Sequence, residues 1–151
     1  MSALDVLVGE WDIEVAFRGG TVAGRMTCEW ELGGAFLLQR SSAEHPDAPS
    51  ALSLIGEEEG GGFMQHYFDS RGVVRRYAMT IDEREWTLER DAVQRFSGRF
   101  EDGGSTIRGT WEWFRDGAWE KDFDLTYSRV TRTSSTPAST SDAPDASADS
   151  T

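Results

Sequence analysis

The run His66-Tyr-Phe-Asp-Ser-Arg-Gly-Val-Val-Arg-Arg-Tyr77 places a histidine, three arginines and two tyrosines within twelve residues. A guanidinium is the side chain whose fork fits a carboxylate or phosphate, and a phenol adds a neutral donor beside it. Arg75 and Tyr77, at i and i+2 on an extended segment, stand side by side on one face and suit an anionic head group. His66 has the proton affinity of a general base, but base catalysis needs a partner within reach and the sequence shows none. Asp69-Ser-Arg-Gly72 is turn chemistry, so the run reads as a hairpin with His66 on one arm and Arg75 with Tyr77 on the other. Arg71 then sits at the turn facing solvent, and Arg76 alternates outward with Val74 and Ala78.

The same period-two rule, applied along the chain, sorts the other basic groups. Arg40 shares parity with Phe36 and Leu38, and His66 with Met64 and Phe68. Arg75 shares it with Tyr77, Met79 and Ile81, Arg90 with Trp86 and Leu88, and Lys121 with Trp119 and Phe123. The expected inner set is therefore Arg40, His66, Arg75, Arg90 and Lys121, with no carboxylate, in a chain of 27 acidic and 15 basic residues. Unpaired cations are costly to bury. They can lie near strand ends and snorkel to solvent, which suits Arg40, Arg90 and Lys121. They can pair with loop carboxylates such as Glu57-Glu-Glu59, or they can form an anion site inside a cavity. Trp111 and Trp113 share the dry parity and are candidates to line such a cavity. A one-residue register slip would turn Arg76 inward in place of Arg75.

These residues ride on alternating strands. Trp11, Ile13, Val15 and Phe17 alternate with Glu10, Asp12 and Glu14, and Met26, Cys28, Trp30 and Leu32 with Arg25, Thr27, Glu29 and Glu31. Ile107 to Trp113 and Trp119 to Tyr127 repeat the pattern, the mark of antiparallel strands with one dry and one wet face. Breaks at Gly19-Gly20, Gly33-Gly34, Pro46 to Pro49, Gly60 to Gly62, Asp69 to Gly72, Asp102 to Gly104 and Asp116-Gly117 leave about ten short strands. The expected fold is all-β: an up-and-down antiparallel barrel of about ten strands, wide enough to hold a cavity. Ser2 caps a short N-terminal helix carrying Leu4 and Leu7. One folded domain is expected over 1–132. Residues 133–151 contain only Ser, Thr, Ala, Pro and Asp and read as a disordered acidic tail.

The net charge of -12 argues against nucleic acid as a partner, and no polybasic run exists to hold an anionic membrane. The N-terminus shows neither a basic leader nor a long apolar run, so a cytoplasmic protein without signal peptide or membrane helix is expected. Cys28 stands alone on the dry parity and reads as a buried, inert thiol. Two histidines and one cysteine at unrelated spacing leave no expected metal site, and no cofactor is expected. Neither a Gly-x-Ser-x-Gly elbow nor a phosphate loop occurs.

Leu7-Val-Gly-Glu-Trp11 resembles the opening of calycin-type barrels, in which a Gly-x-Trp on the first strand plugs the closed end. With Gly33-Gly-Ala-Phe-Leu-Leu-Gln-Arg40, Leu54-Ile-Gly56 and Tyr67-Phe-Asp-Ser-Arg-Gly72, the chain resembles a bacterial lipocalin-like family of unknown function from Leu4 to Val130. That resemblance implies a barrel with a ligand cavity and supplies no reaction. Fatty-acid-binding proteins hold a carboxylate with Arg-x-Tyr on the last strand, where this chain reads Leu125-Thr-Tyr127 and lacks the arginine. Haem-binding nitrobindin-like barrels open with Gly-x-Trp-x-Gly-x-Gly and bind iron through a late histidine. Here the opening is Gly9-Glu-Trp11-Asp-Ile-Glu and no histidine follows His66, so a haem-binding barrel of nitrobindin type stands as the weakest of the alternatives.

The function expected from these readings is non-catalytic binding of a small hydrophobic or amphipathic anionic ligand, such as a fatty acid or an acidic aromatic metabolite. Its head would be held by Arg75, Tyr77 and His66. The rival is an isomerase or hydrolase on the same barrel with His66 as base. A third reading makes the barrel a scaffold for a homodimer or a partner.

Overall fold

The computed structural model describes residues 2–131; the tail expected over 133–151 lies outside them. Ten antiparallel strands close into a barrel: β1 (Gly9–Phe17), β2 (Gly20–Glu31), β3 (Phe36–Ala43), β4 (Ala51–Glu57), β5 (Phe63–Asp69), β6 (Val74–Ile81), β7 (Glu85–Arg90), β8 (Gln94–Glu101), β9 (Thr106–Arg115) and β10 (Ala118–Arg129). Each strand pairs with its chain neighbours, and β10 returns to β1 with Tyr127 opposite Ile13, so no edge is left unpaired. The connections are the glycine-rich turns read from the sequence. Gly72 at φ 84° closes the β5–β6 hairpin, its N–H donating to Asp69 O.

One end is plugged. Residues Ala3–Leu7 form a 3₁₀ helix that starts at Ser2, whose hydroxyl accepts from Leu4 N–H while the Asp5 carboxylate accepts from Ser2 N–H. Leu4 and Leu7 are buried beneath it. Trp11 lies fully buried under the plug and donates its indole N–H to Leu7 O at 2.9 Å. Arg129 closes the same corner. Its guanidinium donates to Val8 O at 2.6 Å and Val6 O at 2.7 Å, and lies 4.2 Å from the centre of the Trp11 ring system. A side chain at Gly9, which has φ 128°, would collide with that guanidinium.

Strand-interior glycines mark where large side chains press on backbone. Phe96, almost fully buried, lies over Gly98 and Gly109; a Cβ at Gly109 would fall 2.4 Å from the Phe96 ring. Gly109→Ala is therefore expected to destabilise by about 1–3 kcal/mol through overpacking, read as a lowered urea midpoint. An unchanged midpoint would mean that Phe96 has room to move.

Sequence periodicity places the inner face correctly on β1, β2, β6, β7 and β9 and reverses it on β3 and β5. On β3 the inner residues are Leu37, Gln39 and Ser41, so Arg40 is exposed on the outer face opposite Thr27 and Leu52. On β5 the inner residues are Phe63, Gln65 and Tyr67, and His66 lies outside opposite Leu54 and Arg76. The cause is an outer face that is itself apolar. Leu38, Leu52, Leu54, Met64, Phe68 and Val74 fall on the outer parity of β3–β6, so apolar character no longer distinguishes the two sides. On β10 a bulge intervenes: Lys121 opposes Glu112, yet Phe123 opposes Trp111. The extra residue, Asp122, resets the parity and leaves Lys121 outside, paired with Asp124 at 3.0 Å.

Candidate functional site

Between the plug and the open end lies a cavity of about 440 Å³, within the range of roughly 300–1,000 Å³ typical of small-molecule sites. The strands give it two unlike walls. From β7 to β10 and β1 come Trp86, Leu88, Trp111, Phe123, Leu125, Tyr127, Ile13 and Val15. Tyr77, Trp111, Phe96, Trp86 and Tyr127 form a continuous chain of ring contacts, with centroids 5.0–5.7 Å apart in tilted or edge-on pairs. This is a dry aromatic surface.

The opposite wall, from β3 to β6, is polar. Antiparallel register sets Gln39 opposite Ser53, Ser53 opposite Tyr67, and Tyr67 opposite Arg75, so one row of inward side chains crosses four strands. Gln65 stands in the next row, between Ile55 and Tyr77. Gln39, Ser53, Gln65 and Gln94 are all buried. Gln94 Oε1 is well served, accepting from Tyr77 Oη and from Arg90 Nε, both at 3.0 Å. Gln39 has only sulfur partners, donating to Met26 and lying within hydrogen-bonding reach of the Cys28 thiol, both weak acceptors. Gln65 donates to Ser53 Oγ at 3.3 Å while its Oε1 is buried without a partner among the described residues, and the Trp86 indole N–H is likewise unpartnered among them. A buried polar atom left unpaired costs about 1–3 kcal/mol, so this wall is built at a cost to stability.

The charged groups gather toward the open end. Arg75, one residue into β6, is half-buried, lines the cavity, and forms no side-chain hydrogen bond or ion pair with the described residues. Arg71, expected to face only solvent, also reaches the cavity lining and is tied to Asp69 at 2.6 Å. Arg90 lies at the rim, 5.9 Å from the Trp113 ring centre. One carboxylate does reach the lining: Asp122, turned inward by the bulge, accepts from Trp113 Nε1 at 2.6 Å. It stands on β10, four strands around the barrel from Arg75.

Among the expected site residues, the barrel thus brings Arg75, Tyr77, Trp111 and Trp113 to the cavity and Arg90 to its rim, while Arg40, His66 and Lys121 lie outside. Sequence reasoning missed Gln39, Ser53, Gln65, Tyr67 and Gln94. The one signal available was that Leu37-x-Gln39-x-Ser41 and Phe63-x-Gln65-x-Tyr67 are equally valid alternations, which the apolar residues of the other parity concealed. No imidazole lines the cavity: His66 is on the outer face, and His45 accepts Asp47 N–H in the β3–β4 loop. Haem iron would find no histidine there. Among the described residues no cluster of three or more His, Cys, Asp or Glu could hold a metal ion. No helix among them is long and apolar enough to cross a membrane. Cys28 is buried, and burial pushes its thiol up to about 12.

The mouth is braced by Asp69. Its carboxylate accepts from the Arg71 guanidinium, from Tyr67 Oη at 2.8 Å, and from the Arg71 and Val73 N–H groups. The Arg71 contact foremost, with these further donors, holds the Asp69 carboxyl well below the usual carboxylate range. Tyr67 is pushed up to about 12, first by burial and then by its bond to Asp69. A carboxyl depressed in the folded state adds stability that is complete above its unfolded value of about 3.9 and is lost as pH falls below it. Asp69→Asn should therefore lower the urea midpoint clearly at pH 7 and by a smaller margin at pH 3, the rest of the gap closing only as pH falls further through the depressed folded value. An equal gap at both values would show that the charge of Asp69 is immaterial.

In sequence the chain matches no family model and no curated protein.

Proposed function

We propose that the barrel binds, without turnover, a small amphipathic ligand with an anionic group. The observation that carries this reading is Arg75, a cation at the lining of a chamber of about 440 Å³ whose guanidinium has no partner among the described residues. A carboxylate entering from the open end would give that guanidinium the bidentate partner it lacks. The apolar body would then lie against Trp111, Leu88, Phe123 and Leu125, where burial contributes about 25 cal/mol per Å². Asp122, engaged with Trp113 on the far side, favours an orientation that keeps the anionic end near β6. Such a mode agrees with the ligand cavity implied by the lipocalin-like resemblance. A base for the rival enzyme reading would have to be sought elsewhere than at His66, which is outside the cavity.

The test is a calorimetric titration with octanoic acid, 1-naphthoic acid and their methyl esters. Saturable one-to-one binding of an acid, about ten-fold tighter than its ester, supports the reading. Absence of binding by every compound at millimolar concentration removes it, and equal affinity of acid and ester removes the anionic head.

A further inference from the structure

The proposed ligand class leaves open what the buried end of the ligand should be, and the polar wall bears on that. An alkyl chain would suit a lumen lined by apolar groups throughout. This lumen instead presents Gln39, Ser53 and Gln65 on three adjacent strands, facing an aromatic wall. Gln65 is only 5% exposed and Trp86 only 2%, and each keeps a buried polar atom with no partner among the described residues. Reversing the Gln65 amide would let Ser53 Oγ donate to it, but would leave the amide N–H₂ short of an acceptor. In either orientation one hydrogen-bonding position is open. A ligand group that supplies the hydrogen bonds this wall lacks binds more tightly than one that leaves the buried atoms unpaired. Gln39 and Gln65 are uncharged amides and Ser53 is a hydroxyl, so the matching group is neutral and offers a donor and an acceptor together.

Resting on the anionic-ligand reading above, we infer that the cavity is specific for a flat aromatic acid whose buried ring bears a lactam or amide. The ring lies against Trp86, Leu88 and Trp111, the lactam meets Gln65 with Gln39 and Ser53 beside it, and the carboxylate reaches Arg75. Sites built around buried hydrogen-bonding groups reject analogues that lack the matching group far more strongly than apolar pockets reject a change of size.

The experiment compares 4-carboxy-2-quinolone with 1-naphthoic acid, which shares its fused rings and carboxylate but has no lactam, using quenching of tryptophan fluorescence and calorimetry on the full chain. The lactam acid is expected to bind at least ten-fold tighter. Gln65→Leu, close in size, is expected to abolish that preference, read as the ratio of the two acids' affinities for the same variant. Trp86→Phe, which removes the N–H and keeps an aromatic ring, provides a second variant should Gln65→Leu not fold, and is expected to reduce the preference at least three-fold. Equal affinity of the two acids for the wild-type barrel overturns the lactam specificity and leaves the anionic-ligand reading standing. A preference that survives in both variants also overturns it. Binding of neither acid, nor of octanoic acid, overturns the anionic-ligand reading itself, and the lactam specificity falls with it.

Discussion

Arg75→Ala is expected to weaken binding of a cavity-bound aromatic acid such as 1-naphthoic acid by ten-fold or more, while its methyl ester is bound as before. The expected size follows from the loss of a charge-assisted hydrogen bond, which contributes about 1.5–3 kcal/mol in proteins. The guanidinium makes no side-chain bond with the described residues, so its removal breaks no structural contact and leaves the folded barrel intact. Thermal unfolding of the variant should accordingly stay within about 0.5 kcal/mol of wild type, or improve, because an unpaired half-buried cation is then gone. Arg75→Lys should recover part of the affinity, keeping the charge and losing the fork. Acid binding indifferent to Arg75→Ala would assign the anionic group to Arg71 or Arg90. A parallel loss for acid and ester would indicate a damaged mouth.

The largest effect on stability is expected at the plugged end. Trp11→Ala should cost about 3–5 kcal/mol, the range for removing a fully buried large aromatic. Three contributions meet there: the apolar area of the indole, its hydrogen bond to Leu7 O, and the stacking of Arg129 on its ring. The last ties the final strand to the N-terminal plug, because Arg129 on β10 also satisfies the carbonyls of Val6 and Val8. Arg129→Ala leaves both carbonyls without that partner and should cost about 2 kcal/mol or more. The two losses should not add, since each variant dismantles part of the other's contact. Urea unfolding of both single variants and the double variant checks this; a Trp11→Ala loss below about 1 kcal/mol would show that the plug contributes little to the barrel.

Much of this molecule was legible before any coordinates. Where one face of a strand is wet, as on β1, β2, β7 and β9, alternation alone put Trp11, Met26, Trp86 and Trp111 on the inside. Glycine and aspartate at the breaks gave the hairpins, and uninterrupted hairpin succession pointed to a closed barrel of ten strands. Arg75 and Tyr77 were placed on the cavity side for the same reason: Met79 shares their parity, and Arg76 opposes His66 on the other.

The errors have specific physical causes. Alternation compares two faces, and on β3 and β5 both are apolar, because Leu38, Leu54, Met64 and Phe68 cover the outside of the barrel. That equivalence sent Arg40 and His66 to the wrong side and hid Gln39 and Gln65. On β10 the backbone inserts Asp122, and no composition rule signals that one residue is skipped in the ladder.

The sequence by itself determined the strands, the turns, the plug and the aromatic supply, because each depends on local backbone preference and on the burial of apolar groups. Only the tertiary structure decided which residues form the polar wall. A glutamine has the same sequence signature on a wet face as inside a cavity, and which it faces is settled by cross-strand register. The histidine and arginine of the β5–β6 hairpin, one residue apart in register, are divided by that geometry: His66 faces outward and Arg75 faces the cavity.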